Sequence, residues 1–339
     1  MNIEKIWNNL PENGGFSGVF SVRNETGVIF ERCCGFRSRS EKLPNTSDTA
    51  FGIASGTKLF TGLAVCRLID EGKLSLNDKL WDILPFDLGK IDKRVTIFQL
   101  LTHTSGVGDY IDEEASDFEA QMRKLYTKYP VHLWERLDYY LPMITPLPPK
   151  FEPGARFGYS NAGFVLLGLV VEAVSGASYQ QFVNVNLISP LNLNRTGFYR
   201  TDSLPANTAT GYVGADAFTL RSNVFLLPVI GGADGGLYTN AEDLDTLWQA
   251  LFSGRVLSEN MLQAFLAPQV KRRESNSYGL GVYRYDCGNN TVFYAVGGDF
   301  GVDFFTAYFP RENLTASALG NSEWNTYPLL PAMLAGGIK

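Results

Sequence analysis

Histidine and cysteine are scarce in this sequence, and their scarcity limits the sites it can build. The 339 residues contain two histidines and four cysteines, and no Cys-x-x-Cys pair occurs. A metal site is therefore not expected. Adjacent Cys33 and Cys34 are poor disulfide partners for each other, so reduced thiols are the simplest interpretation of these two and of Cys66 and Cys287. Reduced thiols predict a cytoplasmic location.

Positive charge and long apolar runs are also lacking. The net charge is −6, whereas a nucleic-acid or anionic-membrane partner requires a basic face. No apolar run approaches the length of a membrane span. The opening MNIEKIWNNLPENGG has no apolar core of the kind found in signal peptides. We therefore expect a cytoplasmic protein with no nucleic-acid partner and no membrane segment.

Two common nucleophile and phosphate motifs are missing. There is no Gly-x-Ser-x-Gly elbow and no Walker-type glycine loop. A Ser-His-Asp triad would have to use His103 or His132. His103 stands in QLLTHTSG, where we expect it to hold a loop by hydrogen bonds.

The chain does contain strand-like runs at both ends. FSGVFSV and GVIFERCCG lie near the start, and TVFYAV, DFFTAYFP and LTASALGN near the end. Strands at both termini predict one sheet assembled from the two ends, an α+β fold. We expect a single domain over 1–339, with an α/β part from about 1–50 and 240–339 and a helical part from about 55–235. The acidic, aromatic and proline-rich segment 109–151 is predicted to be a lid or insertion.

Several helices can be predicted from apolar patterning. A short amphipathic helix is expected from Ile3 to Leu10, and TYPLLPAMLAGG predicts a closing helix. Leu59 to Glu71 and Ala162 to Ser175 are apolar all round, which is typical of buried helices. Gly72 is placed to end the first of these.

The stretch FGIASGTKLFTG, residues 51–62, places a lysine one helical turn after a serine. A residue three positions along a helix lies on the same face, so the Lys58 amine can approach the Ser55 hydroxyl. Burial lowers the pKa of a lysine and makes a neutral amine available as a base. Free backbone N–H groups at a helix N-terminus can stabilise an oxyanion. The alternative is that Ser55 is only an N-cap and Lys58 reaches solvent.

A second candidate motif is Tyr159-Ser160-Asn161. A tyrosine near an ammonium is more easily ionised, so Tyr159 could shuttle protons to and from Ser55. The Asn161 amide could orient the lysine or hold a substrate carbonyl. The chain contains a rival, Tyr238-Thr239-Asn240, so the tripeptide alone has little weight.

Together these stretches resemble the superfamily of serine β-lactamases and penicillin-binding proteins, on its class C and related esterase-like branch. The likeness runs from about Phe16 to Asn321. It is carried by FGIASGTKLFTG, LIDEGKLSLNDKL, VTIFQLLTHTSGVGDY, FEPGARFGYSNAGFVLLGLVVEAVSG and GGADGGLYTNAEDL, in that order. The resemblance implies a β-lactamase/transpeptidase-like fold, an antiparallel sheet flanked by helices with an all-helical region beside it. It implies no cofactor and no metal.

The resemblance also implies roles for the two motifs. Ser55 would be the acylated nucleophile and Lys58 its hydrogen-bonded partner and base. Tyr159 would pass the proton to the leaving group and later activate water. Asn161 would align Lys58 or a substrate amide.

The third motif of the family departs from its usual pattern. A Lys, His or Trp normally precedes x-Gly on an edge strand beside the serine, whereas the best match here is Ala295-Val296-Gly297-Gly298. Gly297 and Gly298 belong to the predicted oxyanion side, and the Gly298 N–H can still donate because that contribution is backbone only. The cation that would hold a substrate carboxylate is lost. Asp299 and Asp303 would form an acidic lip that disfavours anions.

We therefore expect a serine hydrolase that cleaves esters or small amides lacking an essential carboxylate, with weak β-lactamase or penicillin-binding activity. One alternative is a D-amino-acid peptidase, an amidase for cationic amines or a penicillin-binding-type carboxypeptidase. Another, of a different class, is a sensor that acylates and stalls. In each case the partner is a small ester, amide or β-lactam.

Overall fold

The computed structural model of the chain describes residues 3–8, 16–113, 116–214, 219–322 and 329–335. The strands of these residues, in chain order, are β1 (Gly18–Asn24), β2 (Gly27–Cys34), β3 (Phe36–Ser38), β4 (Leu43–Pro44), β5 (Phe51–Gly52), β6 (Tyr212–Val213), β7 (Arg221–Ser222), β8 (Tyr238–Thr239), β9 (Val270–Arg273), β10 (Asn276–Tyr278), β11 (Tyr283–Cys287), β12 (Asn290–Asp299), β13 (Val302–Phe309) and β14 (Leu314–Gly320).

Eight of these strands form one antiparallel sheet from both ends of the chain, in the order β2-β1-β14-β13-β12-β11-β10-β9. The register pairs Gly18 of β1 with Gly320 of β14, and Gly298 of β12 with Asp303 of β13. The remaining strands pair in twos, β3 with β4, β5 with β8 and β6 with β7. The α+β fold predicted from the sequence, an antiparallel sheet with flanking helices, is confirmed.

The α-helices of the described residues are α1 (Ile3–Asn8), α2 (Thr57–Asp70), α3 (Leu80–Ile83), α4 (Ile97–Leu101), α5 (Phe118–Lys128), α6 (Leu141–Ile144), α7 (Asn161–Ser175), α8 (Tyr179–Val183), α9 (Ala241–Phe252), α10 (Glu259–Leu266) and α11 (Leu329–Ala335). Short 3₁₀ turns lie at Ala54–Gly56, Val131–Leu133, Leu137–Tyr140 and Ser189–Leu191, and a π turn at Asn184–Ile188.

The central strand β13 is buried along its whole length because both faces of the sheet are covered. Successive side chains of a strand point to opposite faces. Phe304 therefore packs into the large core shared with α2, α7 and α9, and its neighbour Phe305 packs into a second core on the other face. Helix α11 closes that second core with Leu329 and Met333.

The predicted helices agree with the structure to within one or two residues where the chain is described. Ser160 caps α7 by accepting a hydrogen bond from the Gly163 N–H, and Gly176 ends it with a left-handed φ of 72°. Helix α2 ends at Asp70, and Gly72 follows with a φ of 70°. The last two residues of the predicted first helix and both ends of the closing stretch lie outside the described residues.

Strands β9, β10 and β11 were not predicted from the sequence. They are short, and β9 (Val-Lys-Arg-Arg) is a largely exposed edge strand. An exposed edge lacks the apolar alternation on which a prediction depends. The single-domain assignment over 1–339 stays a prediction.

Within the described ranges no single helix has the length and hydropathy of a membrane span. The segments Asn161–Ser175 and Tyr179–Leu191 pass that test only together, and a bend of 76° separates them.

Helix α2 approaches the loop before β11 so closely that only glycine fits at position 62. A Cβ on Gly62 would lie 2.3 Å from the Leu280 carbonyl oxygen, whereas a Cβ on Gly163 in α7 would meet nothing closer than 3.5 Å. Alanine normally stabilises a helix by about 1 kcal/mol over glycine. We expect Gly62→Ala to lower the free energy of unfolding by about 1–3 kcal/mol instead. Gly163→Ala should leave it equal or slightly raised, as measured by urea denaturation. An equal gain in both variants would contradict this packing.

Candidate active site

Ser55 lies in a tight turn between β5 and α2. The turn Ala54–Gly56 is 3₁₀, and Ala54 has a left-handed φ of 44°, which is uncommon for a residue with a side chain. The Thr57 hydroxyl donates to the Ala54 carbonyl at 2.8 Å and accepts from the Leu237 N–H at 3.0 Å. This bonding holds the serine at the start of α2, beside a cavity to which it contributes.

Strand β12 packs directly on this turn. A Cβ on Gly297 would lie 2.2 Å from the Ile53 carbonyl oxygen and 2.9 Å from the Ser55 backbone nitrogen, so any side chain there is excluded. Gly298 and Asp299 line the cavity, and Gly298 has open space beside it. The backbone of Gly297 therefore lies beside the Ser55 turn, and its assignment to the third motif stays a prediction. Ala295 is buried in the large core and supplies no charge.

Lys58 is buried, with 3% of its surface exposed, and its amine has three acceptors. Nζ lies 2.9 Å from Ser55 Oγ, 2.7 Å from Asn161 Oδ1 and 2.6 Å from the Asp234 backbone oxygen. The alternative that Lys58 reaches solvent does not hold. The three contacts bring together α2, α7 and the loop before β8.

These three partners determine where the lone pair of a neutral amine points. A neutral amine has two N–H bonds and one lone pair. The Asn161 amide oxygen and the Asp234 carbonyl can only accept, so they take the two N–H groups. The lone pair then points at the Ser55 hydroxyl, which can donate. The geometry is that of a base beside its proton source.

The pKa of Lys58 is lowered, as the sequence predicts. Burial is the main cause, and nearby carboxylates oppose it by stabilising the ammonium. Those carboxylates belong to Asp234, Glu113, Asp109 and Asp299.

Tyr159 completes the contacts of Ser55. Its hydroxyl donates to Ser55 Oγ at 2.8 Å. The expectation that Tyr159 is easily ionised is wrong, because burial raises its pKa well above the ordinary value and the negative charge of Glu113 adds to the shift. Tyr159 is therefore a neutral phenol that donates a hydrogen bond.

The structure also separates the two Tyr-x-Asn sequences. Asn161 contacts Lys58, whereas Asn240 caps α9 by accepting from the Asp243 N–H at 2.8 Å. Tyr238 lies in β8, paired with Gly52. The second tripeptide is thus a strand end followed by a helix cap.

The cavity beside Ser55 has a volume of about 1050 Å³ and two kinds of wall. One wall is acidic and is formed by Glu113, Asp234 and Asp299. The other wall is apolar. The predicted lid segment contributes Met122, Leu125, Val131, Tyr140 and Met143 to it, and the loop after β7 contributes Leu226, Leu227 and Pro228. Arg221, whose side chain is exposed, also lines the cavity.

The expected acidic lip is only half right. Asp299 lines the cavity, but Asp303 is buried in β13 and is not part of the lining. Burial raises the pKa of Asp299, and the charges of Asp234 and Glu113 act in the same direction. A carboxylate with a raised pKa is more readily neutral, which lowers the repulsion within the wall.

Four acidic or phenolic side chains around the site were not assigned from the sequence. Asp109 accepts from the backbone N–H groups of Asn161 and Ala162, at 2.7 and 3.0 Å. Glu113 accepts from the Asn161 side chain, and Tyr110 donates to the Asp234 carboxylate. The signal available for Asp109, Tyr110 and Glu113 was the stretch GVGDYIDEE at the start of the predicted lid segment, and that for Asp234 was the stretch GGADGG. Because these residues lie far from Lys58 along the chain, the sequence did not predict that they would be close to it in the fold.

The four cysteines are free thiols. Within the described ranges no group of three His, Cys, Asp or Glu side chains is arranged to hold a metal ion.

Comparison with known proteins places this architecture in a family. Residues 3–326 match the family model described as Beta-lactamase, and the chain belongs to that family of hydrolases. A solved penicillin binding protein from Bacillus halodurans is 39% identical, covers 98% of this chain and 99% of its own, and superposes with a TM-score of 0.89. A D-stereospecific amidohydrolase from Streptomyces sp. is 25% identical over 96% of this chain and 95% of its own, with a TM-score of 0.80.

Penicillin-binding protein 4* of Bacillus subtilis (strain 168) is 27% identical over 83% of this chain. The chain spans 62% of the length of that relative, so the relative contains regions with no counterpart here.

The buried His103 ring packs against the Tyr159 ring, and we expect its imidazole to make the free energy of unfolding depend on pH. It is buried, its ring centroid lies 4.5 Å from that of Tyr159, and its Nδ1 accepts from the Ser160 N–H at 3.1 Å. The loop-holding role expected from the sequence is consistent with this bond. Burial, followed by the charge of Lys58, lowers the pKa of His103 well below the usual 6.5.

We expect the contribution of His103 to the free energy of unfolding to fall as the pH drops below about 6.5, because the unfolded chain then binds a proton that native His103 does not. The slope from this group approaches about 1.4 kcal/mol per pH unit until the lower, folded-state pKa is reached. His103→Asn keeps an acceptor for Ser160 and suits the left-handed φ of 57°. As the pH falls from 7.5 to 5, the free energy of unfolding of this variant should therefore rise relative to that of wild type. Parallel curves for the two proteins would show that His103 does not carry this dependence.

Proposed function

We propose that this protein is a serine hydrolase that forms an acyl-enzyme on Ser55 and cleaves esters or small amides. One observation carries the proposal: Ser55 Oγ lies within hydrogen-bonding distance of both the Lys58 amine, at 2.9 Å, and the Tyr159 hydroxyl, at 2.8 Å. A nucleophile beside a buried amine and a phenol is the arrangement that covalent acyl transfer requires.

Acylation begins when neutral Lys58 takes the Ser55 proton. The oxygen attacks the substrate carbonyl carbon, and the negative charge that develops on the carbonyl oxygen is stabilised by the backbone N–H groups of Ser55 and Gly298. As the bond to the leaving group breaks, the Tyr159 phenol donates its proton to that group. The Lys58 ammonium returns a proton to the phenol, and both residues regain their starting state.

Deacylation repeats these steps with water in place of serine. Lys58 is the base in this half as well, because the raised pKa of Tyr159 keeps the phenol protonated. The water oxygen adds to the acyl carbon, and Ser55 leaves with the proton that Lys58 took. In this scheme Tyr159 acts as a proton donor, and Asn161 aligns the lysine.

Substrates with an essential carboxylate fit this cavity poorly. Ala295 supplies no cation where the family usually has one, and among the described residues that line the cavity the carboxylates of Asp299, Asp234 and Glu113 outnumber the one exposed arginine, Arg221. We therefore place a neutral ester first among substrates, and expect weak hydrolysis of activated β-lactams and inefficient turnover of benzylpenicillin. A carboxypeptidase of the penicillin-binding type ranks lower for the same reason.

Hydrolysis of p-nitrophenyl acetate and butyrate by wild type and Ser55→Ala tests the proposal. We expect the variant to lose at least about a thousandfold in kcat/KM, because a nucleophile acts as a unit with its base. Mass spectrometry of the intact chain should show an acyl group on wild type and none on the variant. Equal rates in the two proteins would indicate that Ser55 serves only as a helix cap. A stable adduct without turnover would favour the acylating sensor.

A second candidate is an amidase for substrates that carry a cationic amine. The acidic wall of the cavity favours it, and the similar Streptomyces protein is described as a D-stereospecific amidohydrolase. A positively charged substrate next to Asp299 would gain from its carboxylate where a neutral one would not.

Asp299→Asn distinguishes the two candidates. If the amine is recognised, kcat/KM for an amino acid p-nitroanilide should fall about tenfold relative to that for neutral p-nitrophenyl butyrate, since one partly exposed charge pair contributes on the order of 1 kcal/mol. Both D and L enantiomers should be measured. An unchanged ratio of the two rates would remove the cationic-amine hypothesis and leave the ester hydrolase.

A further inference from the structure

Two carboxylates at the start of the predicted lid segment accept hydrogen bonds from Asn161. Asp109 accepts from its backbone N–H at 2.7 Å, and Glu113 Oε1 accepts from its side-chain Nδ2 at 2.8 Å. The other end of the same amide faces the catalytic lysine, with Oδ1 2.7 Å from Lys58 Nζ. Asn161 is thus a bridge between Lys58 and Glu113.

A primary amide can turn about its last bond, which exchanges an acceptor for a donor. With the oxygen towards Lys58, the amide takes one N–H of the neutral amine and leaves the lone pair for Ser55. With the nitrogen towards Lys58, the amide would donate to that lone pair, and the amine could no longer accept from Ser55. The two orientations have the same shape but opposite consequences for catalysis.

Lys58 alone does not select the productive orientation at the moment when it matters. An ammonium can only donate, so protonated Lys58 favours the amide oxygen. A neutral amine accepts as readily as it donates, so this preference vanishes in the active form. Glu113 can only accept when it is ionised, and it therefore holds Nδ2 on its own side in both states of the lysine.

We propose that Glu113 is a positioning residue that fixes the orientation of the Asn161 amide and so directs the lone pair of neutral Lys58 at Ser55. The inference rests on the proposed function, in which Lys58 is the base. Asp109 cannot supply this control, because its contacts are to backbone N–H groups that do not change when the amide turns.

The charge of Glu113 also acts on the pKa of Lys58, and this effect must be separated from the orientation of the Asn161 amide. The carboxylates of Glu113, Asp109, Asp234 and Asp299 all favour the ammonium form of Lys58. The other groups around the amine are the phenol of Tyr159, neutral His103 and the hydroxyl of Ser55. Removing the charge of Glu113 therefore lowers the pKa of Lys58 further, which moves the acidic limb of a pH–rate profile to lower pH. Loss of orientation instead lowers the plateau.

Three variants make the test, with neutral p-nitrophenyl butyrate as the substrate so that no charge on the substrate enters. Glu113→Gln loses the charge and keeps an acceptor only in part, because its own amide can turn and donate, whereas Glu113→Met loses both at similar size. Asn161→Ala removes the amide, so that no orientation remains to be fixed. Glu135→Gln is the matched control, since Glu135 lies in the same segment and pairs with Arg200 at 2.6 Å.

We expect Glu113→Met to lower the plateau of kcat about ten- to a hundredfold with little change in KM, the range for losing a hydrogen bond to a charged group. Glu113→Gln should lie between Glu113→Met and wild type, because a neutral amide orients Asn161 less strictly than a carboxylate, and its acidic limb should lie at lower pH. In the Asn161→Ala background, Glu113→Met should cause no further loss. Glu135→Gln should match wild type.

Two results would overturn the proposal. One is a plateau unchanged in Glu113→Met, and the other is an equal loss from that change in the wild-type and Asn161→Ala backgrounds, which would mark a general structural role. Ser55→Ala, assayed alongside, keeps the two hypotheses apart. If it retains wild-type rates, the proposed function fails. If it is inactive while Glu113→Met behaves as wild type, only the positioning role fails.

Discussion

The burial of one amine organises this structure. An ammonium taken out of water is costly unless all its N–H groups are hydrogen-bonded, and Lys58 meets that condition by donating one bond each to the Ser55 hydroxyl, the Asn161 amide oxygen and the Asp234 carbonyl. These partners come from three distant parts of the chain. The junction of α2, α7 and the loop before β8 can therefore form only when these three parts of the chain are packed together.

The same burial sets the electrostatic balance of the site. Desolvation pushes Lys58 towards the neutral amine, and the surrounding carboxylates pull it back towards the ammonium. Asp109 responds in the opposite sense, since burial raises its pKa to about 7 despite two backbone hydrogen bonds. The Lys58 amine and the carboxyl groups of Asp109, Asp234 and Asp299 are thus displaced towards their neutral forms. Shifts of this kind, clustered around a cavity, are typical of functional sites.

In the proposed function, substrate preference depends on the walls of the cavity. The backbone of β12 lies beside the Ser55 turn, and Ala295 of that strand is buried and supplies no charge. Acidic side chains of Glu113, Asp234 and Asp299 line the cavity. The predicted lid segment adds an apolar wall and also contacts Asn161, so the residues that line the cavity are linked to the partners of Lys58.

The sequence by itself determined the sheet built from both chain ends, the buried helices α2 and α7, and the pairing of Ser55 with Lys58. These depend on local periodicity and on a spacing of three residues, which a linear pattern records. It could not place Asp234, Asp109 or Glu113, because their contacts span 48 to 176 residues. It also gave the wrong direction for the pKa of Tyr159, since a neighbouring cation is visible in a motif but desolvation is not. Burial, partner orientation and the walls of the cavity exist only once the helices and the sheet are packed together, and so the tertiary structure decided them.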